Sequence, residues 1–170
     1  MKEIFKYGLI LFVVCTVAAG ALSLVYKKTK PIIEKASLEE VESSAREVLP
    51  TANSFATKAG TKFGYNKEGE IVGKVIETKA DGYSGAIKLI IGVDQGGRVT
   101  GVKILSHSET PGLGAKIQEL WFTRQFIGKT KAGLVLKKDS SVGEIDAITG
   151  ATISSRAVTD AVQKAVTGDW

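Results

Sequence analysis

From Tyr7 to Tyr26 the chain runs for twenty residues without a charged side chain. No other feature constrains what it can fold into so strongly. Wound as a helix at about 1.5 Å per residue, such a segment spans roughly 30 Å, the thickness of a bilayer's hydrocarbon core. Lys2 and Lys6 flank one end; Lys27, Lys28 and Lys30 flank the other. Tyr7 and Tyr26 stand where interfacial aromatics belong. A cleaved leader peptide shares the basic start, but its apolar stretch usually runs about 7–15 residues before small residues and polar sequence. Here Leu22, Leu24 and Val25 continue the apolar run beyond Ala18, Ala19, Gly20 and Ala21. Length therefore favours a retained anchor. The lysines balance at the two ends, so charge leaves the orientation open. The expected division is a short flank at 1–6, a transmembrane helix at 7–26, a linker at 27–36 and a folded domain at 37–170.

The remainder is long enough to bury one core. Of 170 residues, 23 are Lys or Arg and 18 are Asp or Glu, giving a formal net charge of +5. The positive charges are spread along the chain, so no nucleic-acid surface is read from them. Cys15 and His107 are the one cysteine and the one histidine. A single cysteine excludes a disulfide framework and a Cys-rich zinc or iron–sulfur site built from this chain alone. Cys15 lies in the apolar segment, far in sequence from His107, which argues against a Cys/His nucleophile pair. Redox chemistry, if present, then needs an organic group or a partner. No catalytic residue and no metal ligand set is assigned.

Hydrophobic spacing outlines an α+β domain. After Pro31, Ser37 to Glu40 reads as a capping box, followed by an apolar stripe at Leu38, Val41, Ala45, Val48 and Leu49, with Pro50 as the stop. From about Thr61 to Ser106 the period changes to two. EIVGKVIET and Ala86–Val93 read as strands, Asp94 to Gly97 as a hairpin turn, and Arg98–Leu105 as the returning strand of an antiparallel sheet. A Pro/Gly loop at Glu109 to Gly114 follows. A helix is expected at 115–122, with Trp121 in the core, and a short strand at 131–137. The last helix, 153–166, shows one apolar face at Val158, Ala161, Val162 and Ala165.

The stretch DAITGATISSRA, 146–157, places a small-residue turn lined with hydroxyls just before that helix. The first N–H groups of a helix have no intrahelical partner and carry partial positive charge, so Thr152 stands where a phosphate is welcome. Gly150 and Ala151 leave room for a bulky group to approach. Asp146 is odd company for a bare phosphate and better suited to a metal-assisted step. Simple helix capping is the plainer reading of the same residues, and spacing alone favours it.

The identities of the residues shift that balance. DAITGAT resembles the Asp-x-x-Ser/Thr-Gly-Ala-Thr acceptor motif of proteins that carry FMN covalently. SHSETPGLGAKI resembles the second signature of that family, in the expected order and distance, and GYSGAIKLIIGVDQGGRVTGVKIL resembles its central hairpin. With the N-terminal anchor, the chain resembles the G subunit of Rnf-type electron-transport complexes over nearly its whole length. The C subunit of sodium-translocating NADH:quinone reductase shares the domain but is typically longer.

The resemblance implies a transmembrane helix followed by a small FMN-binding domain, an antiparallel sheet flanked by helices. It implies FMN joined through its phosphate to Thr152 by a flavin transferase that uses FAD and magnesium. Asp146, Thr149, Gly150 and Ala151 would be the positions the transferase recognises. Glu109, Thr110, Pro111, Gly112, Leu113 and Gly114 would form the loop against the flavin ring. Tyr83 and Ser84, in Gly82 to Gly85, match an aromatic-bearing turn near it. Tyr83 reads equally as a stacking residue and as edge-strand packing. Lys116 reads as a solvated lysine before it reads as a phosphate neighbour, and His107 as a structural hydrogen-bonder before a proton relay. The implied partners are other Rnf subunits, including a membrane subunit with its own covalent FMN, and membrane lipid, with no nucleic acid. The implied activity is electron relay in a complex coupling ferredoxin oxidation to NAD reduction and ion pumping. The implied location is the cell membrane, single-pass, with the domain on the extracytoplasmic side. Two rivals stand beside it: a non-redox membrane-anchored interaction module, and the same flavin domain in a quinone reductase complex.

Overall fold

The computed structural model describes residues 2–58 and 61–167. Its first element, α1, is a helix over Lys2–Val48 with Pro31 inside it. A proline within a helix forfeits one backbone hydrogen bond and costs about 3 kcal/mol. The sequence around Pro31 consists largely of good helix formers, and ion pairs one turn apart flank it: Lys30–Glu34 at 3.8 Å and Lys35–Glu39 at 4.0 Å. The helix runs on through Ser37, which is therefore interior and not the N-cap that the capping-box pattern suggests. Residues 27–36, the expected linker, are helical.

The chain divides into two compact units, Met1–Glu40 and Val41–Trp170. The first is a helix long and apolar enough to cross a membrane, and none of its most apolar stretch is buried by protein.

The second unit is built on five antiparallel strands in the order in which the chain makes them: β1 (Ser54–Lys58), β2 (Thr61–Tyr65), β3 (Ile71–Asp81), β4 (Ala86–Asp94) and β5 (Val99–Ser106). The turn at Asp94 to Gly97 closes as expected, with the Asp94 carboxylate accepting from the Arg98 N–H at 2.8 Å. β1 is not legible in the sequence: its burial is slight and its pattern does not alternate.

β4 shows why the sheet sits in the middle. Ile87, Leu89, Ile91 and Val93 face one core, closed by Val158, Ala161, Val162 and Ala165 of α3 (Thr152–Thr167). Those four are the apolar face that helical spacing marks. Ile90 faces the opposite core with Ala45, Val48 and Leu49 from the end of α1. Each fully buried Ile, Leu or Val contributes about 1.5–3 kcal/mol, so two small cores clamp the sheet from both sides. Leu38 begins the same sequence stripe yet stands 71% exposed.

Between β5 and α3 the chain is mostly irregular. A 3-10 turn (Gly114–Gln118), the single-turn helix α2 (Leu120–Thr123) and a second 3-10 turn (Arg124–Phe126) replace the one helix expected at 115–122. Trp121 is 48% exposed, whereas Phe122 and Phe126 fill the core with their rings edge to face. The aromatic in the core is Trp121's neighbour Phe122, which with Phe126, four residues on, faces inward. The expected strand at 131–137 reduces to one parallel bridge, Leu136 to Ile145, with both side chains buried.

The end of α1 lies directly on the sheet. Thr100 Oγ1 donates to the Val48 carbonyl at 2.6 Å. A Cβ on Gly92 would fall 2.2 Å from that same carbonyl oxygen, and one on Gly101 would fall 2.7 Å from Val48 Cα. Only strands bare at these two positions let the helix end approach. Gly92→Ala should therefore cost about 1–3 kcal/mol, through a forced backbone shift. Urea unfolding of the detergent-solubilised protein measures it, and an unchanged midpoint would mean that the helix end is not seated on Gly92.

Candidate functional site

Where β3 turns to β4, residues 82–85 lie beside the loop after β5 and the first turn of α3. Glu109 joins the three. Its side chain is 5% exposed. Oε1 accepts from the Ser84 N–H at 3.0 Å, and Oε2 accepts from the Ser154 hydroxyl at 2.6 Å. A Cβ on Gly82 would lie 2.2 Å from Oε1, and one on Gly114 would lie 2.6 Å from Oε2, so neither position has space for a side chain. His107 orders the approach to this carboxyl group. Its Nδ1 accepts from the Glu109 N–H at 3.2 Å, which leaves Nε2 to donate to Gln118 Oε1 at 3.3 Å.

These ties enclose a cavity of about 490 Å³. Tyr83, Glu109, Thr110, Leu113 and Gly114 form one side; Gly150, Ala151, Thr152, Ile153 and Ser154 form the other. Tyr83, Leu113 and Ile153 are 70%, 47% and 50% exposed, and they make an open apolar surface around it. Gly150 sets the turn into α3 with φ +78°, a conformation few side-chain-bearing residues adopt. A Cβ there would come within 3.2 Å of Leu113 Cδ2. Ser155 locks the turn from inside, accepting from the Ile148 N–H at 3.0 Å and donating to the Ala151 carbonyl at 2.9 Å.

Thr152 is the first residue of α3 and is half-buried. It also lines a second cleft of about 330 Å³, with Lys137, Lys138, Asp146 and Thr149. Lys138 Nζ donates to Thr152 Oγ1 at 3.4 Å. Asp146 pairs with Lys137 at 2.7 Å, and its backbone N–H donates to Gln125 Oε1 at 2.8 Å. Asp139 binds Arg156 of α3 through two contacts, each of 2.7 Å.

The structure thus brings Tyr83, Glu109, Thr110, Leu113, Gly114, Gly150, Ala151 and Thr152 to one cavity. Ser84 stands behind them, its hydroxyl 3.5 Å from that of Thr110. Pro111 and Gly112 are exposed at the tip of the loop and do not line the cavity. Thr149 and Asp146 belong to the cleft on the far side of Thr152. Lys116 is exposed and lines neither. Lys137, Lys138, Asp139 and Arg156 carry no sequence signal toward Thr152, because only the fold brings 137–139 to α3. A further cavity of about 550 Å³ lies across β3 and α3, walled by Lys79, Asp81, Asp160 and Lys164 among others. Its charged wall suits no flat apolar ring.

A volume of about 490 Å³ falls within the usual range of small-molecule sites, about 300–1,000 Å³. The cavity offers apolar walls, few polar groups and a hydroxyl at its edge. Those are the requirements of a flat tricyclic ring on a phosphate tail, so the residues fit FMN.

Known proteins agree with that class: residues 82–167 match the FMN-binding domain model. Residues 1–48 match the RnfG N-terminal region. The G subunit of the Na+-translocating ferredoxin:NAD+ oxidoreductase complex of Acetobacterium woodii is 37% identical, over 97% of this chain and 91% of that protein. The G subunit of the ion-translocating oxidoreductase complex of Methanosarcina acetivorans is 36% identical, over 97% and 94%. The crystal structure of the C subunit of Na+-translocating NADH-quinone reductase from Parabacteroides distasonis shares the fold, with a TM-score of 0.52 at 24% identity, over 65% of this chain and 63% of that one. The chain belongs to the family of G subunits of Rnf-type ion-translocating oxidoreductase complexes.

Two outcomes follow from the site's bonds. Glu109→Ala leaves the Ser84 N–H and the buried Ser154 hydroxyl without their acceptor, a loss of about 1–3 kcal/mol for the buried hydroxyl. The Ser84 amide should then exchange with deuterium much faster; an unaltered rate would mean that Glu109 does not hold the turn.

The second concerns pH. The hydrogen bonds from Arg156, and then its charge, hold the Asp139 carboxyl below its ordinary 3.8. Because the folded value is lowered, the pair's stabilisation is fully present above 3.8 and is lost as pH falls through the lowered value. Asp139→Asn should therefore melt below wild type at neutral pH and converge with it in strong acid. Parallel melting curves at all pH values would exclude the linkage.

Proposed function

We propose that this chain is a membrane-anchored electron-transfer subunit that carries FMN esterified through its phosphate to Thr152. The observation that carries the reading is the position of the Thr152 hydroxyl. It sits at the edge of the cavity shared by the 109–114 loop, Tyr83 and the DAITGAT turn. Three segments distant in sequence line that one cavity, which supports a common ligand for them.

When bound, FMN supplies reversible electron transfer. The chain's own residues bind and orient it. Leu113 and Ile153 offer apolar cover, and Tyr83 stands at the open side, where an aromatic ring can lie along a flat ligand. Glu109 keeps the two walls in register through Ser84 and Ser154. The backbone of 110–114 supplies polar atoms at the rim. The tether at Thr152 retains the cofactor through repeated redox cycles in a cavity open to its surroundings. Asp146, Thr149, Gly150 and Ala151 form a surface before α3 suited to recognition by a flavin transferase.

Relatives named as G subunits of ferredoxin:NAD+ and ion-translocating oxidoreductase complexes support placing the subunit in an Rnf-type complex. Their identities of 37% and 36% favour that assignment over a quinone reductase. The partners are then the other subunits of the complex, one of them carrying a covalent FMN in the membrane. The apolar stretch of α1 crosses the cell membrane once and leaves the flavin domain on the extracytoplasmic side.

Intact-protein mass spectrometry with peptide mapping, on protein from its native membrane, tests the reading. The expected result is one FMN less one water on the peptide containing Thr152. Thr152→Ala should lack that increment after denaturation and should keep its fold to within about 1 kcal/mol, the worth of a helix-terminal hydroxyl. An unmodified wild-type peptide, or flavin retained by the alanine variant after denaturation, would sink the attachment; the former would favour a non-redox interaction module.

A further inference from the structure

Three consecutive residues are fastened over Thr152. Lys137 is paired with Asp146, six residues before it, and Asp139 with Arg156, four residues after it. Lys138 lies between these two ion-paired residues. Lys138 extends from that point, and its ammonium reaches the Thr152 hydroxyl at 3.4 Å. The charges of Lys137 and Asp139 are matched by carboxylate and guanidinium partners. Among the described residues Lys138 is in no salt bridge, and its hydrogen-bond partner is a neutral hydroxyl.

We propose that Lys138 binds the phosphate of the group attached to Thr152, holding its charge in the 137–152 cleft while the flavin ring occupies the cavity on the other side. This rests on the attachment reading above. Attachment forms a bond from Thr152 Oγ1 to the FMN phosphorus of FAD. It breaks the bond from that phosphorus to the AMP oxygen and releases AMP and the hydroxyl proton. The product is a phosphodiester with one negative charge and two free oxygens. Those oxygens lie one bond beyond the phosphorus on Oγ1, within the sweep of a flexible lysine stem that already touches Oγ1. A cleft of about 330 Å³ at that point has room for a phosphate. Thr152 and Gly150 line both spaces, so a ligand tethered there divides between them: charge beside Lys138, ring beside Leu113. The lysine that sequence order puts near the loop, Lys116, lines neither.

The test uses the full-length, detergent-solubilised protein, loaded by a flavin transferase with FAD and magnesium and followed by intact mass. Lys138→Ala should load about tenfold more slowly, the worth of one hydrogen bond to a charged group. Lys138→Arg should restore most of the rate, and Lys116→Ala should load like wild type. The deciding readout is the 31P resonance of the loaded protein. It should move in Lys138→Ala, return toward the wild-type position in Lys138→Arg and stay fixed in Lys116→Ala. A second measurement needs no loaded variant: the 13Cε signal of Lys138, identified by its loss in Lys138→Arg, should shift when wild type is loaded. Slow loading with an unmoved 31P resonance would show a lysine read by the transferase alone, and overturns the proposal. So does a Lys138 signal indifferent to loading. Wild-type protein that takes up no flavin on Thr152 fails at the earlier step, and the attachment reading falls with it.

Discussion

One carboxyl group, that of Glu109, holds the site in one piece. Its two oxygens take hydrogen bonds from two segments that share no sheet or helix, the turn between β3 and β4 and the start of α3. The Ser154 hydroxyl is buried and needs an acceptor, so a net bond of about 1 kcal/mol understates the cost of leaving it unmade. The glycines at 82 and 114 follow from the same demand, since a side chain at either would displace an oxygen. Glu109 therefore acts chiefly as a part of the frame.

The frame works because both of its anchors are rigid. The sheet is fastened from its two faces, by α3 on one and by the end of α1 on the other. The second contact is made backbone to backbone at Gly92 and Gly101. Residues 107–150, by contrast, form little regular structure and depend on buried side chains such as Phe122, Phe126, Leu134 and Leu136 for their course.

Helical and strand periods disclose β3, β4, β5 and the apolar face of α3, because each has one or two faces that must be buried and the spacing of apolar residues records it. Where burial is slight the record is faint, as in β1. Where turns are short the period never establishes itself, as between Gly114 and Phe126, and Phe122 takes the core place expected of Trp121. The break expected near Pro31 and Ser37 fails for another reason. A local stop signal is worth a few kcal/mol and yields to a helix favoured on both sides of it.

For the site, residue identities mark the DAITGAT turn, the 109–114 loop and the Tyr83 turn, because each motif is a short run whose members are neighbours in the chain. The apolar segment and its length are determined in the same way, by composition alone. What only the tertiary structure decided is how these runs face one another. Glu109 lies 45 residues from Ser154 and 25 from Ser84, and Lys138 lies 14 residues from Thr152. Contacts at such separations leave no periodic trace, since they are made by folding the sheet against α3 rather than by any local preference of the chain. Residue identities mark the runs that line the cavity; the packing of α3 on the sheet decides how those runs face one another.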